Sequence, residues 1–140
     1  MTWGPALQVG FGDIDAQHKR LVELVNELND EMRAGSGRDA VGPVLTELVR
    51  YTVDHFAFEE RLMQEHDIST SAAHLDEHRQ LVAQVASFKE DYEAGSAAVS
   101  VELMTFLRKW LTGHILKSDK ALARELKQKG AVSSVQGAVV

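Results

Sequence analysis

The sequence predicts an all-α protein, an up-down-up-down antiparallel four-helix bundle with an N-terminal arm and a short C-terminal helix. The first observation is that apolar residues recur with the 3.6-residue period of a helix in four long segments, and no segment alternates convincingly as a strand would. The second is that only two prolines and ten glycines interrupt the 140 residues. Short breaks separate the four segments, and helices joined by short loops pack as antiparallel neighbours.

The chain is expected to form one domain, because its length allows a sizeable core without further support. An apolar stripe that begins near Asp15 marks the first helix, and residues 34–37, with two glycines, end it. This stripe comprises His18, Leu21, Val25, Leu28 and Met32. The arm, the helical bundle and a mobile tail are expected at residues 1–13, 14–129 and 130–140.

The second helix is expected to have Asp39 as its N-cap and Pro43 in its first turn, where proline is tolerated. Residues 67–71 then supply a turn and the N-cap of the third helix. The stripe of the second helix comprises Leu45, Leu48, Thr52, His55, Glu59, Leu62 and Met63.

The third helix is expected to end at residues 94–96, and the fourth begins near Ser100. A shorter fifth helix is expected from Asp119 to Lys129. The third stripe comprises His74, His78, Leu81, Val85, Phe88 and Tyr92. The fourth comprises Leu103, Phe106, Leu107, Trp110, Leu111 and His114.

Composition excludes several classes of function. Fifteen basic and twenty-one acidic residues give a net charge of −6 without a basic cluster, so neither nucleic acid nor membrane is an expected partner. The absence of cysteine excludes disulfides, thiolate-bound zinc, iron–sulfur clusters and a cysteine nucleophile. The first residues do not resemble a signal peptide, and no apolar run has the length of a membrane span, so a cytoplasmic protein is expected.

Five of the six histidines form one pattern with two carboxylates. Two pairs have the four-residue spacing that returns a side chain to nearly the same face of a helix. The candidates lie on apolar stripes, and burying them unpaired would be costly unless they coordinate a cation. Seven ligands suit two metal ions better than one. They are His18, His55, Glu59, His74, His78, His114 and Asp119.

Asp119 does not follow the helical spacing rule. It lies five residues after His114, about 140° around a regular helix. The fourth helix is therefore expected to end or distort between Leu116 and Ser118, so that Asp119 swings back to the site and also caps the following segment. His66 has no carboxylate at a suitable spacing, and it is interpreted as a capping or surface residue.

These residues together resemble the hemerythrin family, specifically its single-domain bacterial members, and the match covers the chain up to about Leu122. The resemblance rests on seven candidate ligands in order at family-like intervals, and on the residues around them. These are Trp3, Ile14 to Lys19, Tyr51, His55 to Glu60, His74 to His78, Trp110 to Ile115, and Asp119.

The resemblance implies a four-helix bundle that holds two iron ions joined by an oxo or hydroxo bridge. His74, His78 and His114 would complete one iron. His18 and His55 would bind the other iron, which keeps an open position for dioxygen. Glu59 and Asp119 would bridge the two. Dioxygen would bind end-on as a hydroperoxide and hydrogen-bond to the oxo bridge.

The oxygen pocket is expected to be apolar, since a dry wall disfavours proton entry and loss of the bound group as an oxidant. Leu111 and Ile115, which flank His114, resemble the oxygen-pocket residues of the family. Trp110 would pack nearby, and Phe56 would contribute. All four are also compatible with ordinary core positions.

The sequence favours an oxygen binder over an oxygenase. Ferritin-like di-iron enzymes use Glu-x-x-His motifs, and no histidine here has a glutamate three residues before it. Five neutral imidazoles and two carboxylates donate less anionic charge, which makes high-valent states harder to reach. Three hypotheses stay open: a dioxygen carrier or store that serves an accepting or redox partner, a di-iron enzyme that reduces peroxide or nitric oxide, and an oxygen- or redox-sensing signalling module. The residues alone also leave zinc or manganese open.

Overall fold

The structure, a computed structural model, describes residues 2–35, 38–69, 71–95 and 101–131, and only the backbone of residues 38, 39, 101 and 102. Within these ranges the chain is helical and contains no strand. A single-turn 3₁₀ helix at Pro5–Leu7 precedes the bundle. The α-helices are α1 (Gly12–Arg33), α2 (Arg38–Glu65), α3 (Ser71–Glu93), α4 (Val101–His114) and α5 (Lys120–Gln128), with a π-helical segment, Ile115–Asp119, between α4 and α5.

The four long helices pack as the periodicity predicts. α1 contacts α2, α2 contacts α3, and α4 packs back against α1. Short connections between long amphipathic helices favour this antiparallel arrangement, because each apolar stripe is buried against its sequence neighbours. The predicted fold class is confirmed.

The apolar core consists of two clusters, one towards each end of the bundle. The larger cluster lies between the four long helices and includes Leu28, Leu48 and Met104. The smaller one joins the start of α1, the end of α2 and α5, through residues such as Ile14, Met63 and Leu122. On α1, α2 and the α4–α5 helix, the candidate ligands fall between the residues of the two clusters. The bundle therefore holds a polar layer between two apolar ones.

The start of α1 differs from the expectation. The helix begins at Gly12 rather than near Asp15, and Asp15 is buried. Its carboxylate accepts hydrogen bonds from the backbone N–H of Val9 at 2.7 Å and of Gly10 at 3.1 Å. These local bonds fold the arm onto the first turn of the helix, and apolar periodicity does not report them because they involve polar atoms.

Two other boundaries differ by a few residues. α2 begins at Arg38, so Asp39 lies inside the helix instead of capping it, and Pro43 falls in the second turn. The expected breaks at residues 34–37 and 94–96 are present as far as the chain is described, and Gly35 and Gly95 adopt positive φ there, as helix-ending glycines do. The expected start at Ser100 and most of the tail at 130–140 lie outside the described residues.

The fourth helix distorts rather than ends. His114 and Lys120, on either side of the π-helical segment, both have α-helical dihedrals, so one continuous helix runs from Val101 to Gln128. Asp119 makes no side-chain capping bond to α5, contrary to the expectation. Among the helices described, none is long and apolar enough to cross a membrane.

Candidate metal centre

Each long helix contributes to one buried cluster of histidines and carboxylates. α1 supplies His18, and α2 supplies His55 and Glu59, which lie one turn apart. α3 supplies His74 and His78, and the last two members, His114 and Asp119, lie at the end of α4 and the end of the π-helical segment. All seven side chains are at most 5% exposed, so the structure brings together every candidate that the sequence pattern selected.

The π-helical segment is what places the last carboxylate. A π-helix closes i to i+5, one residue more than an α-helix, so residues five apart come to lie on the same side. Asp119 Oδ1 lies 3.1 Å from His114 Nε2 as a result. On a regular α-helix the same residue would point about 140° away from the site.

The potential ligand atoms form two groups that share both carboxylates. One group contains Glu59, His74, His78, His114 and Asp119, and the other contains His18, His55, Glu59 and Asp119. Within each group the ligand atoms lie within 4.8 Å of one another. This arrangement has room for two cations, with Glu59 and Asp119 between them.

Asp119 divides its two oxygens between the groups. Oδ2 lies 2.7 Å from His18 Nε2, whereas Oδ1 lies 2.9 Å from His74 Nε2. Glu59 Oε1 lies 3.2 Å from His78 Nε2 and 3.4 Å from His55 Nε2, so this carboxylate also reaches both groups.

Among the described residues, several inward-facing polar atoms of this layer have no hydrogen-bond partner. Both oxygens of Glu59 and of Asp119 lack a hydrogen-bond partner, as do Nε2 of His18 and of His55, despite the short distances. Burying such groups without partners costs several kcal/mol each. His114 Nε2 lies 3.2 Å from the Nε2 atoms of both His74 and His78. Converging imidazole nitrogens and carboxylate oxygens are a cation-binding set, and the residues present fit a metal.

The electrostatics favour the protonation states that bind metals. Burial lowers the pKa of His55 well below its usual value, and burial together with the neighbouring histidines lowers the pKa of His78 to about 2. Both rings are therefore neutral near pH 7 and offer a lone pair. Burial would lower the pKa of His114 as well, but its contacts with Asp119 and Glu77 together outweigh burial and raise it.

The pKa values of the two carboxylates shift in opposite directions. Burial and the charge of Asp119 raise the pKa of Glu59 well above its usual value. Burial would raise the pKa of Asp119 too, but its contacts with His114, His18 and His74 hold that pKa well below its usual range. Two ionised carboxylates this close repel each other, and a cation between them would remove the repulsion.

Three side chains that the sequence reasoning missed hold the outer ring nitrogens of the histidines. His55 Nδ1–H donates to Gln17 Oε1 at 2.6 Å, and His78 Nδ1–H donates to Glu60 Oε2 at 3.1 Å. His114 Nδ1–H donates to Glu77 Oε1 at 3.1 Å. Each partner comes from a different helix than its histidine, so no spacing within one helix could identify it. The available signal was the general rule that metal-bound histidines donate their outer N–H to a carboxylate or carbonyl.

An apolar cavity of about 30 Å³ adjoins the centre on the side of the smaller group. It is bounded by His18, His55, His114 and Asp119 on one side and by apolar side chains on the other. A cavity needs about 10–15 Å³ to hold a water molecule, so this one has room for a diatomic gas. The expected pocket residues Phe56, Trp110 and Leu111 line it.

Other expected residues lie elsewhere. Ile115 is fully buried in the large apolar cluster but does not line the cavity. Thr52 does line it, although no pocket role was predicted for it, and its hydroxyl is occupied by donation to Leu48 O at 2.7 Å. His66 is half-buried and belongs to neither ligand group. Trp3 packs against the large apolar cluster.

Aromatic rings fix two of the imidazoles. The Phe56 ring stacks on His78 with centroids 3.7 Å apart and planes within 5°. The Trp110 ring stacks on His114 with centroids 4.5 Å apart and an interplanar angle of 15°. These contacts leave little freedom for either histidine to turn away from the centre.

Comparisons with known proteins agree with this geometry. The family description "Hemerythrin HHE cation binding domain" matches residues 9–126. A bacteriohemerythrin of Stenotrophomonas maltophilia is 39% identical over 127 residues, which are 91% of this chain and 82% of that protein. A bacteriohemerythrin of Methylococcus capsulatus is 40% identical over 86% of this chain and 92% of its own length.

More distant and structural relatives give the same result. A myohemerythrin of Riftia pachyptila is 30% identical over 81% of this chain and 83% of its own length. A crystal structure of wild-type hemerythrin superposes with a TM-score of 0.84 at 38% sequence identity and covers 90% of this chain and 97% of that one.

Proposed function

The chain belongs to the hemerythrin family, and from this premise we propose that it binds two iron ions in the buried polar layer and uses them to bind dioxygen reversibly. The observation that carries the proposal is that two ligand groups share two carboxylates beside an apolar cavity large enough for a diatomic gas molecule. Storage, delivery and sensing of dioxygen are all consistent with such a centre.

The ligand roles follow the two groups. His74, His78 and His114 would hold one iron, His18 and His55 would hold the other, and Glu59 and Asp119 would be shared by the pair, with an oxo or hydroxo group completing the centre. Three imidazoles would serve the first iron and two the second, which would leave the second with a free position. The support for this assignment is the division of the ligand atoms and the placement of both His18 and His55 at the cavity wall.

The chain's own residues would keep bound dioxygen from escaping as an oxidant. The iron pair supplies the two electrons that dioxygen takes up and returns on release. Phe56, Trp110 and Leu111 form a largely apolar wall, and the hydroxyl of Thr52, which also lines the cavity, already donates to Leu48 O. This side therefore offers protons from solvent a poor path to bound dioxygen. Five neutral imidazoles with two carboxylates make oxidation beyond the ferric state harder to reach, which favours release of intact dioxygen.

The proposal is tested by metal analysis and absorption spectroscopy of the purified protein. We expect two irons per chain, and a visible charge-transfer band that appears when the reduced protein meets air and disappears when dioxygen is removed. Iron in another ratio, or zinc or manganese in its place, would contradict the di-iron assignment. A band that decays with consumption of an electron donor, without release of dioxygen, would instead identify an enzyme that reduces peroxide or nitric oxide.

A further inference from the structure

The outer nitrogens of the histidines have partners of different charge on the two sides of the centre. In the three-histidine group, His78 and His114 each donate to a carboxylate, at 3.1 Å in both cases. In the two-histidine group, His55 donates to the neutral amide of Gln17 at 2.6 Å. His18 Nδ1 is buried, and no residue in the described part of the chain hydrogen-bonds to it.

The carboxylate of Glu77 is held in place by a second donor. Ser118 Oγ lies 2.8 Å and 2.7 Å from the two oxygens of Glu77, and its O–H donates to this carboxylate. Ser118 belongs to the π-helical segment, and Glu77 belongs to α3. The same distortion that brings Asp119 to the centre therefore also brings a hydroxyl to the carboxylate that supports His114.

Charge on the partner alters what the imidazole gives to a metal. A hydrogen bond to a carboxylate is charge-assisted and draws the Nδ1 proton away from the ring, which makes the opposite nitrogen a stronger donor. A stronger donor stabilises the ferric state relative to the ferrous state. An amide acceptor has this effect to a smaller extent, and an unpartnered N–H has none.

We propose that Gln17, Glu60 and Glu77 are positioning residues that set the donor strength of the two iron sites unequally. The carboxylates of Glu60 and Glu77 strengthen the three-histidine site, whereas the amide of Gln17 keeps the two-histidine site weakly donating. The site that faces the cavity thus holds its electrons more firmly, which favours return of intact dioxygen over its loss in reduced form. This inference rests on the proposed function.

Near-isosteric exchange of acid and amide tests the proposal, because each substitution changes charge with little change in shape. Gln17→Glu should lower the reduction potential of the iron pair and speed autoxidation about 10-fold. In autoxidation the two ferrous ions give two electrons to dioxygen, which leaves with two protons as hydrogen peroxide. Glu60→Gln and Glu77→Gln should raise the potential and slow autoxidation. Shifts of opposite sign in the reduction potential, for Gln17→Glu on one side and for Glu60→Gln and Glu77→Gln on the other, would support the proposal.

Surface exchanges control for net charge alone. Gln64→Glu adds, and Glu65→Gln removes, one negative charge at exposed positions of α2 that touch no ligand. These variants should leave the potential and the autoxidation rate nearly unchanged. Equal shifts in the histidine-partner variants and the surface variants, or shifts of the same sign for Gln17→Glu and Glu77→Gln, would overturn the proposal.

A readout without iron separates failure of this inference from failure of the proposed function. Nitrogen-15 NMR of the histidine rings in the metal-free protein should show Nδ1 of His55, His78 and His114 protonated, with Gln17→Glu moving the signals of His55 most. A wild-type protein that shows these bonds but takes up no iron would refute the proposed function. If the wild-type protein holds two irons but none of the three substitutions changes the reduction potential, this inference alone is refuted.

Discussion

At the scale of single residues, the notable feature is how many polar atoms lie buried without hydrogen bonds. Burial and the neighbouring histidines keep His55 and His78 neutral, and Glu59 and Asp119 cannot both carry an unopposed charge in the same layer. An ordinary core would have replaced these groups by apolar side chains, since that costs less than burying unpaired polar atoms. Their presence is explained by a cation that pairs with all of them.

Leu111 offers a test of the pocket at this scale. It is buried and lines the cavity. Leu111→Ala should enlarge the cavity and admit water, so the oxygenated protein should autoxidise faster when the decay of its visible band is followed. The same change should cost about 2–5 kcal/mol of unfolding free energy, as buried leucines do.

Leu126→Ala is the matched control for Leu111→Ala. Leu126 is fully buried in the smaller apolar cluster and does not line the cavity. It should destabilise the bundle to a similar extent while leaving the decay rate unchanged. If both variants autoxidise equally fast, general loosening of the fold is responsible, and Leu111 has no specific role in the pocket.

At the scale of the secondary-structure elements, the π-helical segment decides whether the centre can be complete. Residues 115–119 insert one extra residue into an otherwise continuous helix from Val101 to Gln128. The insertion turns Asp119 towards His114 and places Ser118 against Glu77. π-helical insertions of this kind are rare and are found mainly at functional sites. The extra residue disturbs the backbone hydrogen bonds of the helix, and this cost is tolerated where the distortion places a functional side chain.

Insertion of one alanine after Lys117 tests this role of the segment. Lys117 is exposed, and one residue added after it would turn Asp119 by about 100° relative to His114. We expect metal analysis to find less than two irons per chain, because the shared carboxylate is lost. The apolar face of α5 turns by the same angle, so the unfolding temperature should also fall.

Two substitutions serve as controls for that experiment. Lys117→Ala preserves the chain length and should retain both metals and the oxygen-dependent band. Asp119→Asn removes the charge without moving the backbone, and it should reproduce the loss of metal even if the variant with the added alanine does not fold. Full metal content in both the variant with the added alanine and Asp119→Asn would show that neither the spacing nor the carboxylate is needed.

At the scale of the whole molecule, the polar layer separates two apolar clusters and draws on every long helix. Metal binding therefore couples the four helices to one another, and a ligand that binds only the folded state stabilises it. Without metal the same layer becomes the weakest part of the bundle, since its stability depends on protonation states that the unfolded chain does not share.

The metal-free protein should accordingly lose stability in mild acid. His55 and His78 have pKa values far below 6.5 in the folded state, at about 2 for His78, so below pH 6.5 the unfolded chain binds protons that the folded chain does not. Glu59, whose folded pKa is raised, acts in the opposite direction above pH 4.5. His114, whose folded pKa is also raised, does so only above pH 6.5, so between pH 6.5 and 4.5 His55 and His78 outnumber Glu59. Denaturant unfolding at pH 6.5, 5.5 and 4.5 should show a falling free energy of unfolding.

Two histidine variants identify the source of this pH dependence. His78→Gln removes one of the two groups, so the decline between pH 6.5 and 4.5 should become shallower. His66→Gln changes a histidine outside the layer and should leave the slope as it is. A metal-free wild-type protein that is equally stable at pH 6.5 and 4.5 would contradict the buried neutral histidines.

Much of this protein could be predicted from periodicity and spacing. Leu21, Leu48, Leu81 and Leu107 each belong to a buried stripe that repeats with the helical period, and burial of four such stripes favours a helical bundle. The candidate ligands followed from histidines and carboxylates on the same stripes. Even the distortion of the fourth helix was predictable, because Asp119 could not otherwise share a face with His114.

The amino-acid sequence by itself thus determined the fold class, the seven members of the polar layer and the need for an irregular turn, because these depend on local geometry along one chain. Only the tertiary structure decided which carboxylate oxygen faces which histidine, the size of the cavity, and the pairing of Gln17, Glu60 and Glu77 with histidines of other helices. Those contacts join residues far apart in sequence, and their distances depend on how the helices pack against one another rather than on any spacing within one of them.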